Sequence, residues 1–212
     1  MKPAERTLHQ LLDRGQRARV RGSDRLIRIV FENKHDHEYW QLGLVDRDRL
    51  HATLKDAEAY GAVDLVWGRF GGDDRTLNHV ALKDTDRLAA FLGTKTTDAS
   101  VREAEEALSQ WSVVPRVREI LGAWQKLKKV RALGAEAARD FADALRVIAA
   151  VEREPEDQLA RPLSAALFGD SKRIEALYVH LDILTSESLS DPARHWSEVL
   201  TSLGIRKEEI DR

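Results

Sequence analysis

The stretch AVDLVWGRFGGDDRTLNHVAL, residues 62–82, decides how the first part of this 212-residue chain folds. Val63, Leu65 and Trp67 alternate with their neighbours, which is the period of a half-buried strand. The sequence GGDD at 71–74 is typical of a turn, and TLNHVAL at 76–82 predicts the returning strand. The stretch therefore predicts a β-hairpin.

The segments before the hairpin predict the elements that accompany it. Leucines at helical spacing indicate a short amphipathic helix over residues 4–12, and LIRIVF at 26–31 predicts a strand. A loop with one helical turn follows, and Asp46 can cap a helix over 46–60 whose apolar stripe is Leu50, Leu54 and Ala57. Helix, strand, short helix, helix and hairpin is the element order of a winged helix, so we assign residues 1–94 to a winged-helix-like arm domain with the hairpin as its wing.

From residue 85 onward the apolar period is helical. Two long helices, one reaching from Val117 to Leu127 with a break at Gly134, predict a helical hairpin over residues 95–157. Residues 158–212 predict further helices, punctuated by Gly169 and Gly204, that resemble the start of a second winged helix without strands. The expected fold class is mostly α, with a minor α+β part.

The composition excludes several classes of protein. One residue in three is charged, yet the formal net charge is −2, which argues against a polyanionic tail or a wholly basic coat. Cysteine is absent, so disulfides, thiolate nucleophiles and Cys-ligated metals are excluded. No apolar run approaches 18 residues and the N-terminus has no signal-peptide pattern. We expect a cytoplasmic protein without membrane segments.

Two segments are locally basic, and either could contact nucleic-acid phosphates. The first segment contains six arginines and a single acid, Asp24. The arginines are Arg14, Arg17, Arg19, Arg21, Arg25 and Arg28. The second runs from Arg116 to Arg131 with only Glu119 against six cations, and helical spacing would place Lys126 and Lys129 on one face. Solvated polar surfaces of an arginine-rich protein are the alternative for both.

Other candidate sites give weaker signals. The expected recognition helix is nearly neutral and the wing carries Asp73 and Asp74, which argues against sequence-specific reading of the major groove. HDHE at 35–38 lacks a third ligand at metal-binding spacing, so we expect no metal there. Phosphate-binding glycine loops and hydrolase elbows are absent from the sequence. In LFGDSKRIEAL (167–177), Lys172 and Glu175 are three residues apart, which is ordinary for a surface ion pair.

A resemblance adds to this interpretation. LSAALFGDSKRIEAL and ESLSDPARHWSEVLTSLGI, together with RIVF, AVDLVWGRF and HVALKD, resemble the JetD family, the nuclease subunits of Wadjet anti-plasmid systems. That resemblance implies an arm and winged helices related to the topoisomerase VI A subunit, followed by a Mg²⁺-binding Toprim domain. It further implies plasmid duplex DNA and SMC–kleisin subunits as partners, nucleoid association and a homodimer.

The same resemblance implies roles for particular residues. Glu175 would replace the catalytic tyrosine of the topoisomerase, with Lys172 and Arg173 as phosphate contacts. The Toprim metal ligands have no counterpart here, so we expect an N-terminal portion or truncated member that holds no cofactor and does not cut DNA alone. Two alternatives stay open: a winged helix that only docks on proteins of an SMC complex, and a winged-helix transcription regulator.

Overall fold

The computed structural model describes residues 2–31, 38–68, 76–154 and 156–206. The chain folds as two compact units, Met1–Ala99 and Ser100–Arg212. Helices hold 61% of the residues and strands 10%, which confirms the mostly α class. Within the described ranges, every helix is too short or too polar to span a bilayer.

In its described residues, the first unit combines four helices with a three-stranded antiparallel sheet. The sheet order is β1-β3-β2, with Ile29 opposite Val80 and Leu65 also opposite Val80 on the other side. The predicted hairpin is confirmed by its two strands, while the turn at 71–74 lies outside the described residues. The elements are α1 (Pro3–Val20), β1 (Arg28–Val30), α2 (Glu38–Gln41), α3 (Leu44–Ala59), β2 (Val63–Trp67), β3 (Leu77–Leu82) and α4 (Thr85–Phe91).

The core of the first unit lies between the helices and the sheet. The predicted stripe of α3 is confirmed, since Leu50, Leu54 and Ala57 are all buried. They pack with the leucines of α1 and with the inward residues of β3 in one apolar cluster. Burial of such side chains contributes about 1.5–3 kcal/mol for each large one, so this cluster is the main stabilising feature of the unit.

Helix α1 is longer than predicted. It was expected to end at Leu12 but continues to Val20, so the arginines that follow Leu12 start on a helix rather than in a loop. Gly15 lies within this helix, and it faces the side chain of Leu82 on β3: a Cβ at this position would lie 2.3 Å from Leu82 Cδ2. The glycine thus permits close packing of α1 against the end of β3. Helix α3 likewise begins earlier than predicted, with Gly43 rather than Asp46 at its N-cap.

The second unit is helical with a minimal sheet. Helix α5 crosses the boundary at residue 99, and β4 pairs with β5 in parallel, Gln158 opposite Ile205. The remaining elements are α5 (Thr97–Ala107), α6 (Pro115–Gln125), α7 (Ala138–Arg153), β4 (Gln158–Leu159), α8 (Ala160–Phe168), α9 (Arg173–Ala176), α10 (Tyr178–Thr185), α11 (Trp196–Ser202) and β5 (Ile205–Arg206), with short 3₁₀ turns at Ser109–Trp111 and Ala135–Ala137.

Three predictions for the second unit were wrong in detail. The helix expected to reach Leu127 ends at Gln125, because Leu127 adopts a left-handed backbone with φ 58°. The helix expected from Ser171 is divided at Leu177 into α9 and α10. The expectation that the last segment lacks strands was also wrong, since β5 follows Gly204 and its positive φ of 68°.

Candidate nucleic-acid interface

The six arginines of the first basic segment occupy three different settings. Arg14, Arg17 and Arg19 lie on the last turns of α1, Arg21 caps that helix, Arg25 lies in the following loop and Arg28 begins β1. All six are exposed. Arg17 and Arg19 also lie in the last turn of α1, where cations interact favourably with the helix dipole, so local helix stability accounts for part of this pattern.

Two of the six are already paired with carboxylates. Arg19 donates to Asp86 from Nη2 at 3.1 Å and to Asp98 from Nη1 at 3.1 Å. The hydrogen bond with Asp86 is the largest cause that raises the pKa of Arg19. Arg17 donates to Asp13 at 3.0 Å, one turn earlier on the helix. Arg19 thus joins α1 to α4 and to the start of α5, and both arginines are less available to a phosphate than the sequence suggests.

The other four arginines have no carboxylate partner among the described residues, although Asp24 is exposed in the loop that carries Arg25. Arg14 donates to the backbone carbonyl of Arg28 at 3.2 Å, which holds the end of α1 beside the outer strand of the sheet. Within the described ranges, no carboxylate pairs with the guanidinium of Arg14, Arg21, Arg25 or Arg28. We call these four residues the arginine edge. A guanidinium presents five donors in a planar fork, which suits phosphate oxygens.

Helix α3 has a different surface. Its first two residues, Leu44 and Val45, are 71% and 64% exposed. Its charges offset one another, and Asp46 pairs with Arg49 at 3.5 Å. A shallow groove of about 440 Å³ runs beside it, lined by Pro3, Ala4, Leu50 and neighbours. This surface offers apolar contact and little net charge.

Several predicted features lie partly outside the described residues. Asp73 and Asp74 of the predicted wing and residues 35–37 of HDHE lie outside them, while Glu38 pairs with Arg6 at 2.5 Å. In the part of the chain that the structure describes, no group of three or more His, Asp or Glu side chains is arranged to hold a metal ion.

The second basic segment does not form the helical stripe that spacing predicted. Because α6 ends at Gln125, Lys126 is its C-cap and Lys129 lies in an irregular loop, so the two lysines do not share a helix face. Arg116 pairs with Glu119 and donates to the carbonyl of Ser186 at 2.6 Å. Arg131 turns inward and pairs with Asp182.

Around Glu175 the structure assembles an ion-pair cluster that the sequence did not indicate. Arg173 donates to Asp140 at 2.5 Å and to Asp143 at 2.7 Å, both on α7, and these hydrogen bonds raise its pKa. Lys172 is exposed at the N-cap of α9, and no ion pair joins it to the half-buried Glu175 among the described residues. Arg173 is therefore engaged by protein carboxylates, and the role of Glu175 stays a prediction.

A second buried cluster was also missed. Asp182 accepts hydrogen bonds from Arg131 and from Arg194, the latter at 2.6 Å, and the backbone N–H of Arg194 donates to it at 3.1 Å. Burial alone would raise the pKa of Asp182, but these hydrogen bonds outweigh burial and hold the pKa below its usual value. Its members are 12 and 51 residues apart, so no local pattern could have revealed the cluster.

The chain matches nothing in three comparisons. No protein-family model, no curated protein and no solved structure is similar to it. The geometry of the described residues therefore carries the functional argument.

Proposed function

We propose that the first unit is a winged helix that contacts the backbone of duplex DNA without reading its sequence. The order α1-β1-α2-α3-β2-β3 and the sheet order β1-β3-β2 support the winged-helix assignment. The arginine edge carries the DNA assignment: four exposed arginines without a carboxylate partner among the described residues lie on α1, on β1 and on the loop between them. Counterion release from phosphates would drive such binding.

Sequence-independent contact is favoured over base reading by the charge of α3. In a winged helix this is the helix that would enter the major groove. Its exposed acids, Asp46, Asp48 and Asp56, are nearly balanced by the exposed cations Arg49 and Lys55, and Arg49 already pairs with Asp46. The helix therefore offers the phosphates that border the groove almost no net attraction, and this argues against a transcription regulator.

The wider proposal follows the resemblance to JetD. In it the chain is the N-terminal portion of a DNA endonuclease of an SMC-type anti-plasmid system, and the arginine edge helps to hold the DNA that the complete enzyme cuts. The cleavage step belongs to a Mg²⁺-dependent Toprim domain in that family. Three further proposals rest on the resemblance alone. They are the catalytic role of Glu175, the phosphate contact by Lys172 and plasmid DNA as the substrate.

Docking on a protein partner is the second candidate function. Leu44 and Val45 favour it, because two adjacent exposed apolar side chains at the start of a helix form an apolar patch that a protein partner could cover. An SMC–kleisin complex is the partner that the resemblance implies. The two functions use different surfaces of the same unit, so both can hold, and substitutions separate them.

The test compares two variants that each remove four positive charges. R14Q/R21Q/R25Q/R28Q neutralises the arginine edge, and R102Q/R118Q/R139Q/R153Q neutralises exposed arginines of the second unit. Removing one cation that neutralises a phosphate makes the plot of log K against log salt concentration shallower by about 0.9. We expect the first variant to bind duplex DNA with a slope shallower by about 3.6 and the second to bind like wild type. Equal binding by all three proteins would overturn DNA contact by the arginine edge, and docking on a protein partner would be the remaining candidate function.

A further inference from the structure

The loop of residues 126–132 has an unusual backbone. Three of its residues that are not glycine, Leu127, Arg131 and Ala132, have positive φ values of 58°, 46° and 68°. Side chains disfavour this left-handed region, and such conformations persist only where surrounding contacts impose them. An observed departure of this kind is a reason to look for a function in the loop.

The contacts that impose this conformation are present on both sides of the loop. The backbone N–H of Lys128 donates to Ala123 at 2.9 Å, and Val130 and Leu133 exchange two backbone hydrogen bonds of 2.9 Å each. The indole of Trp124 donates to the carbonyl of Leu133 at 3.0 Å. The loop is therefore a built turn, attached to the end of α6 and closed on itself.

Its side chains divide into anchors and free cations. Val130 is buried, and Arg131 points inward to Asp182 and to the carbonyl of Asp191 at 3.0 Å. The other three cations, Lys126, Lys128 and Lys129, are exposed, and within the described ranges none of them pairs with a carboxylate. The nearby carboxylate of Glu105 accepts a hydrogen bond of 2.8 Å from the side-chain amide of Gln125, the last residue of α6. We call these three residues the lysine loop.

We propose that the lysine loop is a second contact for the phosphate backbone of duplex DNA, separate from the arginine edge and in the other unit. Three ammonium groups within four residues present point charges without a fixed hydrogen-bond geometry. Such charges suit the phosphate backbone of a DNA duplex of any sequence. A protein partner is less favoured, because Val130 is buried and Leu127 half-buried, so the loop offers no large exposed apolar anchor. The hydrogen-bonded turn fixes the backbone that carries the three lysines before DNA arrives, which lowers the backbone entropy lost on binding.

This inference rests on the proposed DNA function, and its test separates the two. K126Q/K128Q/K129Q is compared with R102Q/R139Q/R153Q, a matched removal of three exposed positive charges in the same unit, and with the arginine-edge variant. The binding partner is a blunt duplex of arbitrary sequence, titrated between 50 and 200 mM salt. All variants replace exposed side chains, and unchanged thermal unfolding verifies that they fold.

We expect the salt slope of the lysine variant to be shallower by about 2.7. Over the fourfold range of salt, wild-type affinity then falls about 40-fold more than that of the variant. The matched control keeps the wild-type slope. A lysine variant with the wild-type slope overturns the second contact even where the arginine-edge variant is impaired, whereas absence of any wild-type binding overturns both proposals. Binding of a polyglutamate peptide is measured beside the duplex; if the lysine variant loses the peptide and binds DNA like wild type, the loop belongs to a protein partner and the proposal is overturned.

Discussion

Replacing Asp182 by alanine removes the carboxylate that two arginines share inside the second unit. Its side chain is 2% exposed, while Arg131 is 13% and Arg194 32% exposed. Removing one partner of a buried ion pair costs about 3–5 kcal/mol, because the remaining charge stays buried without compensation. Arg131 is the charge left in that position, so we expect D182A to lose about 3–5 kcal/mol of unfolding free energy.

The neighbouring substitutions set the scale of this effect. R194A removes the more exposed partner and leaves the Arg131 pair intact, so solvent screening reduces its expected cost to about 1–2 kcal/mol. Urea denaturation followed by tryptophan fluorescence measures each variant. A loss below about 1 kcal/mol for D182A would refute the reasoning, since it would mean that the arginines find other partners or reach solvent.

Acid provides an independent check on the same carboxylate. Because its pKa is held below the ordinary value, Asp182 stabilises the fold fully above the unfolded pKa of about 3.9, and this contribution falls as the pH drops through the lower folded pKa. The stability difference between wild type and D182A should therefore shrink below about pH 4. A difference that shrinks already between pH 7 and 5 would point to another group.

Three further outcomes are expected. Gly15→Val should lower the free energy of unfolding by about 2 kcal/mol or more, since the valine side chain would overlap Leu82 where α1 packs on β3. Urea denaturation measures this loss. Ala132→Gly should raise the free energy of unfolding by about 0.5–1 kcal/mol, because glycine adopts the φ of 68° without strain. The same denaturation assay detects this gain. Burial lowers the pKa of His180, so the unfolded chain binds a proton more readily and stability should fall as the pH drops below about 6.5. His180→Phe should flatten that dependence between pH 7.5 and 5.5.

Gly15→Val and Ala132→Gly each have a control on an exposed helical surface. Gln10→Val is the control for Gly15→Val, since it places valine at an exposed position of α1. It should lower the free energy of unfolding by only about 0.5 kcal/mol. Ala165→Gly on α8 should destabilise by about 0.5–1 kcal/mol, opposite in sign to the change in the loop. If Ala132→Gly also destabilises, the left-handed backbone is not strained. A pH profile unchanged by His180→Phe would assign the titration to another histidine.

The local patterns predicted the first unit well. Alternation marked β2, the turn sequence GGDD marked β3 as the returning strand, and the spacing of Leu50, Leu54 and Ala57 marked the buried face of α3. Each of these signals arises within a few residues. The end of α1 was missed, since Gly15 serves a contact with Leu82, 67 residues away.

The site residues were harder to predict because pairing decides which charges are free. The count of six arginines did not show that Arg19 pairs with residues 67 and 79 positions later. Apolar spacing through Leu127 predicted a longer α6, whereas tertiary contacts of Val130 and Arg131 turn the backbone out of the helix. Spacing therefore identified the basic segments, and only the fold separated anchors from exposed cations.

The most direct test of the DNA assignment is the binding of the wild-type chain to a duplex of arbitrary sequence as salt is varied. Four phosphate contacts from the arginine edge predict measurable binding at about 50 mM salt and a slope of log K against log salt of about −3.6 or steeper. Two unrelated sequences should bind equally. Absence of binding at about 50 mM salt, or an affinity independent of salt, would contradict the account.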